Sequence, residues 1–556
     1  MGMELEAEPW DAVVLATAHA AVQLSAYFPG LTRQIMTLLV SQCLAIRAPR
    51  LMSMGVMPNS LFFGETIMKF FTENHDYWYE DRIALSFPGN MGMDLIDESE
   101  DTLENKLQQR FKQKEDQEFC KTYLKKWRDF FPDSSDLRLV LPFDPEKVRR
   151  DLLRNGLNQL TLSVTERCNL RCKYCTYSDN YSYSRGYSAA DMSFETARQA
   201  IDQFLALVEL GNRYNPYRKI SVGFYGGEPL LNFQLIKNCV EYIFTVYPDY
   251  DVLFTISTNG TLLNAEISEY LMKKDFSISV SLDGPKEEHD RNRVYANGKG
   301  TFNDIIQNIG PIIDSGYEKI SSLVVFDVTS DLFKIQDFFN RKDIPPVSNA
   351  TMPNRYHGCT YYDRFLPEDF ERFNEQIKMA KEAYLSHLNE ETEKVSFFDQ
   401  IFGNPSYKTL AGPAVLTDYS AYMIPCTGTC TPGKKIYVDV HGLFYPCERV
   451  CEAFTIGDCR TGLDFTRISN LLDDYFSSLD YCRECKHRKL CSKCFSTLLT
   501  DTGFASSSEH CKHASESYLD DLSFAHRIGE ESYDFYSRYF DRSDAQIKTL
   551  TGWGEK

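Results

Sequence analysis

The chain has 556 residues, 43% of them hydrophobic, and a formal charge of −19, enough for roughly two to four domains with cores of their own. The acidity argues against nucleic acid as a ligand, because neutralising phosphates takes a surplus of Lys and Arg. There is no apolar run of about eighteen residues to predict a membrane span, and acidic rather than basic residues precede the apolar stretch 12–26, which argues against a signal peptide. A cytoplasmic protein without nucleic-acid or membrane partners is expected, and seventeen cysteines in such a chain point to metal rather than disulfides.

Residues 1–150 read as a mostly helical accessory domain. Helical periodicity runs through 31–46 and 65–71, a charged stretch follows at 98–116, and no catalytic motif appears. Cys43 and Cys120 sit alone among apolar or aromatic neighbours and read as core thiols.

An alternating strand, 160–165, then runs straight into Cys168, Cys172 and Cys175, spaced Cys-x3-Cys-x2-Cys. Three thiolates on a short loop can hold three corners of a [4Fe-4S] cube and leave one iron open to a small molecule. A zinc loop would need a fourth Cys or His close by, and residues 176–193 contain none. With Tyr174 just before its last cysteine, this stretch resembles the signature of the radical S-adenosylmethionine (radical SAM) enzymes. The resemblance implies that the open iron binds S-adenosylmethionine, which is cleaved to a 5′-deoxyadenosyl radical that abstracts a hydrogen atom.

From 160 to 354 short β-rich runs alternate with helical stretches, with strands expected at 160–165, 219–224, 252–257, 276–281, 320–327 and 347–352. The fold class is therefore α/β, and the resemblance implies a partial (β/α)6 TIM-like barrel over 151–360, whose ligands collect at the C-terminal strand ends. After the second strand comes Gly226-Gly227-Glu228-Pro229, where two residues without side chains let backbone approach a ligand and the carboxylate can accept from an ammonium. It resembles the family's GGEP motif, which binds the amino group of S-adenosylmethionine. Ser257 and Asn259, and then Ser279, Ser281 and Asp283, supply polar groups at the next two strand ends and suit ribose and methionine contacts. In His289-Asp290-Arg291-Asn292-Arg293 the resemblance to peptide-modifying members assigns Arg293 to the methionyl carboxylate; a solvated charge cluster is the competing reading.

An acidic amphipathic helix at 366–389 reads as part of a helical bridge over 361–420. Next comes a second cysteine array: Cys430, Cys447, Cys482, Cys485, Cys491, Cys494 and Cys511. Residues 435–440 and 443–446 look like hairpin arms turning at His441-Gly442. Paired Cys-x2-Cys units also suit zinc, so spacing alone leaves zinc open. The array resembles the SPASM extension of radical SAM peptide modifiers, here over 421–515. That resemblance implies a cysteine-rich domain with two auxiliary [4Fe-4S] clusters, three per chain in all. Cys482, Cys485, Cys491 and Cys511 would hold the outer one, and Cys430, Cys447 and Cys494 the inner one, with Cys426 its candidate fourth ligand and Cys451 or Cys459 as substitutes. The spacing before Cys494 is x2 where the family has x3. Glu448 stands where sulfatase-maturing relatives carry an aspartate proposed as a base; a surface glutamate is the alternative. Residues 516–556 read as a C-terminal helical segment.

The resemblance implies a precursor peptide as substrate and a flavodoxin- or ferredoxin-type reductant. The leading expectation is a cross-link installed in a ribosomally made peptide, a thioether first (sactipeptide- or ranthipeptide-like) and a carbon–carbon link next. The runner-up is formylglycine formation of the sulfatase-maturase type. A non-catalytic iron–sulfur protein for electron transfer or sensing is the reading from another class, against which the GGEP and Ser-Leu-Asp-Gly motifs weigh, since a carrier needs no adenosyl pocket.

Overall fold

The structure, a computed structural model, describes residues 142–181, 185–355, 358–389, 395–407, 431–450, 452–479, 494–500, 502–505, 511 and much of 520–551. The expected accessory domain up to residue 141, with Cys43 and Cys120, lies outside the described residues, as do Cys426, Cys430, Cys451, Cys482, Cys485 and Cys491.

Helix α1 (Pro145–Asn155) is capped by Asp144, whose side chain accepts from the Glu146 N–H, and opens with a proline where no intrahelical N–H is lost. Six β/α units follow: β1 (Gln159–Thr165), α2 (Phe194–Asn212), β2 (Ile220–Gly226), α3 (Phe233–Val246), β3 (Val252–Thr258), α4 (Ala265–Lys273), β4 (Ser277–Ser281), α5 (Lys286–Asn292) with α6 (Phe302–Asp314), β5 (Ile320–Val325), α7 (Leu332–Phe339) and β6 (Val347–Thr351). All six expected strands are present, each bound within two residues of its expected place. They pair in parallel in the order β1 to β6, as helical crossovers require, consistent with a partial barrel.

The register separates two faces. Leu160, Leu162, Val222, Phe224, Ile256 and Ile278 lie on one, buried with the helix residues Ala197, Phe204 and Ile236 in one core. The other carries Thr161 and Ser163, with Gly223 and Tyr225 beside them, then Thr255, Ser257, Ser279 and Ser321. A face of hydroxyls and small side chains leaves room and hydrogen-bonding capacity for a ligand, which an apolar barrel filling would not.

The sheet then continues past the six. Strand β7 (Lys435–Val438) joins β1 in parallel on its free side, β8 (Leu443–Tyr445) returns antiparallel, and β9 (Gly457–Asp458) and β10 (Gly462–Leu463) complete a ten-stranded sheet. The expected hairpin turn at His441-Gly442 is there. Gly442 has φ +87°, and Asp439 Oδ1 accepts from the His441 and Leu443 N–H groups at 2.9 Å. The expected bridging helix is α8 (Pro367–Ser386). Helix α9 (Phe465–Ser477) packs on α1, and α10 (Phe535–Thr551) occupies the expected C-terminal helical segment. Among the described residues no helix is long and apolar enough to cross a membrane.

Candidate active site

The loop after β1 is stitched to five neighbouring segments. Arg167 makes a two-pronged ion pair with Asp191 at 2.9 and 2.8 Å, which also accepts from Thr165 Oγ1 and so fixes the loop's start. The Arg171 N–H donates to Val294 O and the Lys173 N–H to Asn292 O, laying the cysteines along the segment after α5. The Asn169 side chain accepts from Asn259 Nδ2 and donates to Thr261 Oγ1, both at 2.8 Å, which ties it to the end of β3. Tyr174 donates its hydroxyl to Asp283 Oδ2 at 2.5 Å, tying it to the end of β4.

The fifth segment, the end of β2, explains the two glycines. A Cβ on Gly226 would meet Thr165 O at 2.1 Å, and one on Gly227 would meet Arg167 O at 2.3 Å; the Gly227 and Glu228 N–H groups donate to those same carbonyls at 2.9 and 2.8 Å. What comes close to these two glycines is the backbone leading into Cys168. Pro229 is buried and starts a short 3-10 turn capped by the Glu228 side chain.

Glu228 is almost fully buried. Its carboxylate accepts from Thr258 Oγ1 at 2.6 Å, the Asn259 N–H at 2.8 Å and the Leu230 N–H at 3.2 Å. Burial pushes its pKa up to about 7 against these donors. A carboxylate has about four lone-pair sites, so one remains for an incoming ammonium. Ser257 and Ser279 face the polar side of the sheet, Ser279 Oγ lies 3.5 Å from Ser321 Oγ, and Ser281 is half-buried at its strand's end.

Asp283 and Arg293 were expected to touch a ligand separately, yet they form a buried ion pair, Nε to Oδ2 at 2.9 Å. Asp283 also accepts from Tyr174 and, through Oδ1, from the Val325 N–H at 2.9 Å, while the Arg293 guanidinium lies 5.3 Å from the Tyr174 ring centre. The competing reading, a solvated charge cluster, fits Lys286 and Asp290, an exposed and a partly exposed partner, but not Arg293. Arg291 turns away, to Thr329 O and Ser330 Oγ at 2.7 Å.

The three cysteines are half-buried on this loop and influence one another's charge. Burial pushes Cys168 up to about 11 and Cys172 higher still, so these thiolates need a compensating positive charge. The Leu170 N–H donates to Cys168 Sγ at 3.4 Å, a bond that favours its thiolate, and the Tyr177 N–H donates to Cys175 Sγ at 3.5 Å. Among the described residues no three Cys, His, Asp or Glu side chains close around a single metal ion, but three soft donors on one loop, two of them receiving a backbone N–H, fit the wider corners of an iron–sulfur cluster.

In the second cysteine group Cys447 is buried, and its thiol feels Cys494; Cys511 is half-buried. Continuing the β7–β8 register puts Cys447 opposite Lys435, which pairs with Gln159 at the start of β1. The Cys168 loop leaves the other end of that strand, roughly 20 Å away over six residue rises. Cys459 does not belong with Cys447. Its N–H bonds Gly442 O and its thiol contacts Gln199, at the opposite end of β8 and roughly 16 Å from Cys447 by strand rise, which removes it as a substitute for Cys426. Glu448 pairs with Lys435 at 3.4 Å and Arg449 at 3.6 Å. Burial pushes its carboxyl up, but the two cations outweigh that and hold it below the usual range, ionised but only weakly basic. Tyr225 feels both Cys175 and Glu448, so it lies between the two cysteine groups.

Three residues of this site carry no motif: Asp191, Thr301 and Arg185, the last buried over the Tyr437 and Tyr445 rings at 4.9 and 3.9 Å. Their partners lie far from them in the chain or depend on the fold, which one sequence does not show.

Comparison with known proteins agrees. The radical SAM superfamily matches residues 162–334. An uncharacterized protein of Methanocaldococcus jannaschii is 37% identical over 155 residues, covering 28% of this chain, which spans only 48% of that relative's length. A cysteine-type anaerobic sulfatase-maturating enzyme of Clostridium novyi is 24% identical over 352 residues, covering 60% of this chain and 87% of the enzyme. The radical SAM cyclopropyl synthase TigE of Paramaledivibacter caminithermalis is 29% identical over 216 residues, 36% of this chain and 43% of TigE. The matched residues span β1 to the start of α7 and carry the cysteine loop and its supports, so the chain contains a radical SAM domain and is an enzyme that uses S-adenosylmethionine.

Proposed function

We propose that this enzyme matures a ribosomally made peptide or protein, taking a hydrogen atom from one residue and using further iron–sulfur clusters as acceptors for the electron released afterwards. The observation that supports this reading is the separation along β1 of the Cys168 loop from Cys447, whose thiol feels Cys494, with a polar-lined sheet face between them.

When bound at Cys168, Cys172 and Cys175, a cluster with S-adenosylmethionine supplies a carbon radical able to take a hydrogen atom. The chain's own residues set the stage for it. Glu228 offers an acceptor for the methionyl ammonium, Arg293 a donor for the carboxylate, and Ser257, Ser279 and Ser281 polar groups for the remainder. Asn259 is already committed to the cysteine loop, so its part is to hold Asn169 in place. Cys447 and Cys494 would hold the inner auxiliary cluster together with Cys430 and Cys426, and Cys482, Cys485, Cys491 and Cys511 the outer one. Glu448, held ionised by Lys435 and Arg449, can take the proton released when the substrate radical is oxidised.

The leading product is a thioether: one carbon–hydrogen bond and one sulfur–hydrogen bond are lost, a carbon–sulfur bond forms, and one hydrogen atom, one proton and one electron leave. Formylglycine is the second reading, favoured by the match along 87% of a sulfatase-maturating enzyme. Reductant, S-adenosylmethionine and either a cysteine-containing precursor peptide encoded beside the gene or a sulfatase-derived cysteine peptide test both. A product lighter by two hydrogens with sulfur retained supports the thioether, and exchange of sulfur for a carbonyl oxygen supports formylglycine. Formation of 5′-deoxyadenosine with neither peptide changed refutes both products.

A further inference from the structure

We propose that His289 is a positioning residue for S-adenosylmethionine: buried between β4 and the segment after α5, it fixes the backbone that carries Arg293 and so aims the guanidinium. This rests on Arg293 meeting the methionyl carboxylate.

His289 is fully buried. Its Nδ1 accepts from the Asp283 N–H at 3.2 Å, which leaves the ring proton on Nε2 and makes that atom the donor to Thr301 Oγ1 at 2.9 Å. The Thr301 hydroxyl is thereby free to donate to Arg293 O at 3.1 Å. The Arg293 N–H in turn donates to His289 O at 2.9 Å, so His289 holds Arg293 at both ends of its backbone. The ring of bonds closes through the side chain, because Arg293 Nε donates to the carboxylate of Asp283, the residue whose N–H His289 receives. Thr301 is itself held, its N–H donating to Asp290 Oδ1 at 2.8 Å, and the Phe302 ring packs edge-on against the imidazole, sealing it from water.

An arginine side chain has several rotatable bonds, and a ligand that must first order it loses affinity. Fixing both backbone ends and Nε removes most of that loss before the ligand arrives. The same ring reaches the cysteine loop, since Asp283 also accepts from Tyr174. Packing alone does not demand a histidine here; one acceptor and one donor on opposite sides of the ring do.

Three variants test this in cluster-loaded protein: His289→Ala, which removes both imidazole bonds; His289→Gln, whose amide keeps one acceptor and one donor; and Thr301→Val, which removes the hydroxyl that links His289 Nε2 to Arg293 O while leaving the bond from the Asp283 N–H to His289. We expect His289→Ala and Thr301→Val to raise the KM for S-adenosylmethionine, and its Kd by equilibrium binding, about tenfold, the worth of one hydrogen bond to a charged group. The kcat for uncoupled 5′-deoxyadenosine formation and the iron content should stay within about twofold, and His289→Gln should recover most of the affinity. In metal-free protein, amide hydrogen exchange over residues 283–301 should accelerate in His289→Ala and Thr301→Val but not in His289→Gln. If His289→Ala does not fold, Thr301→Val and His289→Gln decide. Unchanged affinity in folded Thr301→Val, or no recovery in His289→Gln, overturns the proposal. Arg293→Met separates the two readings: unchanged affinity in that variant refutes the carboxylate assignment itself, whereas weakened binding there with unchanged binding in Thr301→Val refutes only the positioning role.

Discussion

Replacing Gly226 with alanine tests whether the end of β2 is shaped to hold the cysteine loop. Gly226 has φ +139°, a region that costs residues with a Cβ about 1–3 kcal/mol. The new Cβ would also meet Thr165 O at 2.1 Å, a main-chain atom that cannot rotate aside. Relief requires β2 to withdraw by about an ångström, which strains the two bonds from the Gly227 and Glu228 N–H groups to Thr165 and Arg167, each worth about 1 kcal/mol. The total is about 4 kcal/mol, a drop of roughly 10 °C in thermal midpoint for a unit of this size. Because the strain falls between β2 and the residues before Cys168, iron held by the first cluster should be lost along with stability. Gly298→Ala is the control. Its φ of +83° is also left-handed, but nothing lies within 4 Å of its added Cβ, so only the conformational cost of about 1 kcal/mol applies and iron should be retained. Differential scanning calorimetry and iron analysis on both variants give the answer. A Gly226→Ala protein with the Gly298→Ala midpoint and full iron would refute the reasoning, since the clash would then carry no cost.

Two further outcomes follow from the site. The buried Glu228 titrates near 7, and its ionised form is the one that pairs with an ammonium, so affinity for S-adenosylmethionine should fall as pH drops below 7, approaching tenfold per unit below about pH 6; an affinity flat from pH 5.5 to 8 would show that Glu228 does not make this contact. Changing Cys447 and Cys494 together to alanine should lower iron from about twelve to about eight per chain while uncoupled cleavage of S-adenosylmethionine continues, and unchanged iron would remove both from the ligand set.

The sequence by itself determined the chemistry and the repeating unit. Cys168, Cys172 and Cys175 lie within eight residues of one another, so their convergence is a local property of one loop, and the strands β1 to β6 announce themselves through β-rich runs separated by helical ones. The turn at Gly442 was equally local. Only the tertiary structure decided what the motif residues do. Gly226 and Gly227 need no side chain because Thr165 and Arg167, some sixty residues earlier, occupy that space. Asp283 and Arg293 became one ion pair because α5 folds the chain back between them. The parallel joining of β7 to β1 brings together segments about 275 residues apart, and that pairing, not spacing, removes Cys459 from Cys447 and puts Glu448 beside Lys435. Period and spacing express forces acting over a few residues, whereas burial and cross-strand register express which distant segments share a surface, and only the folded chain makes that choice.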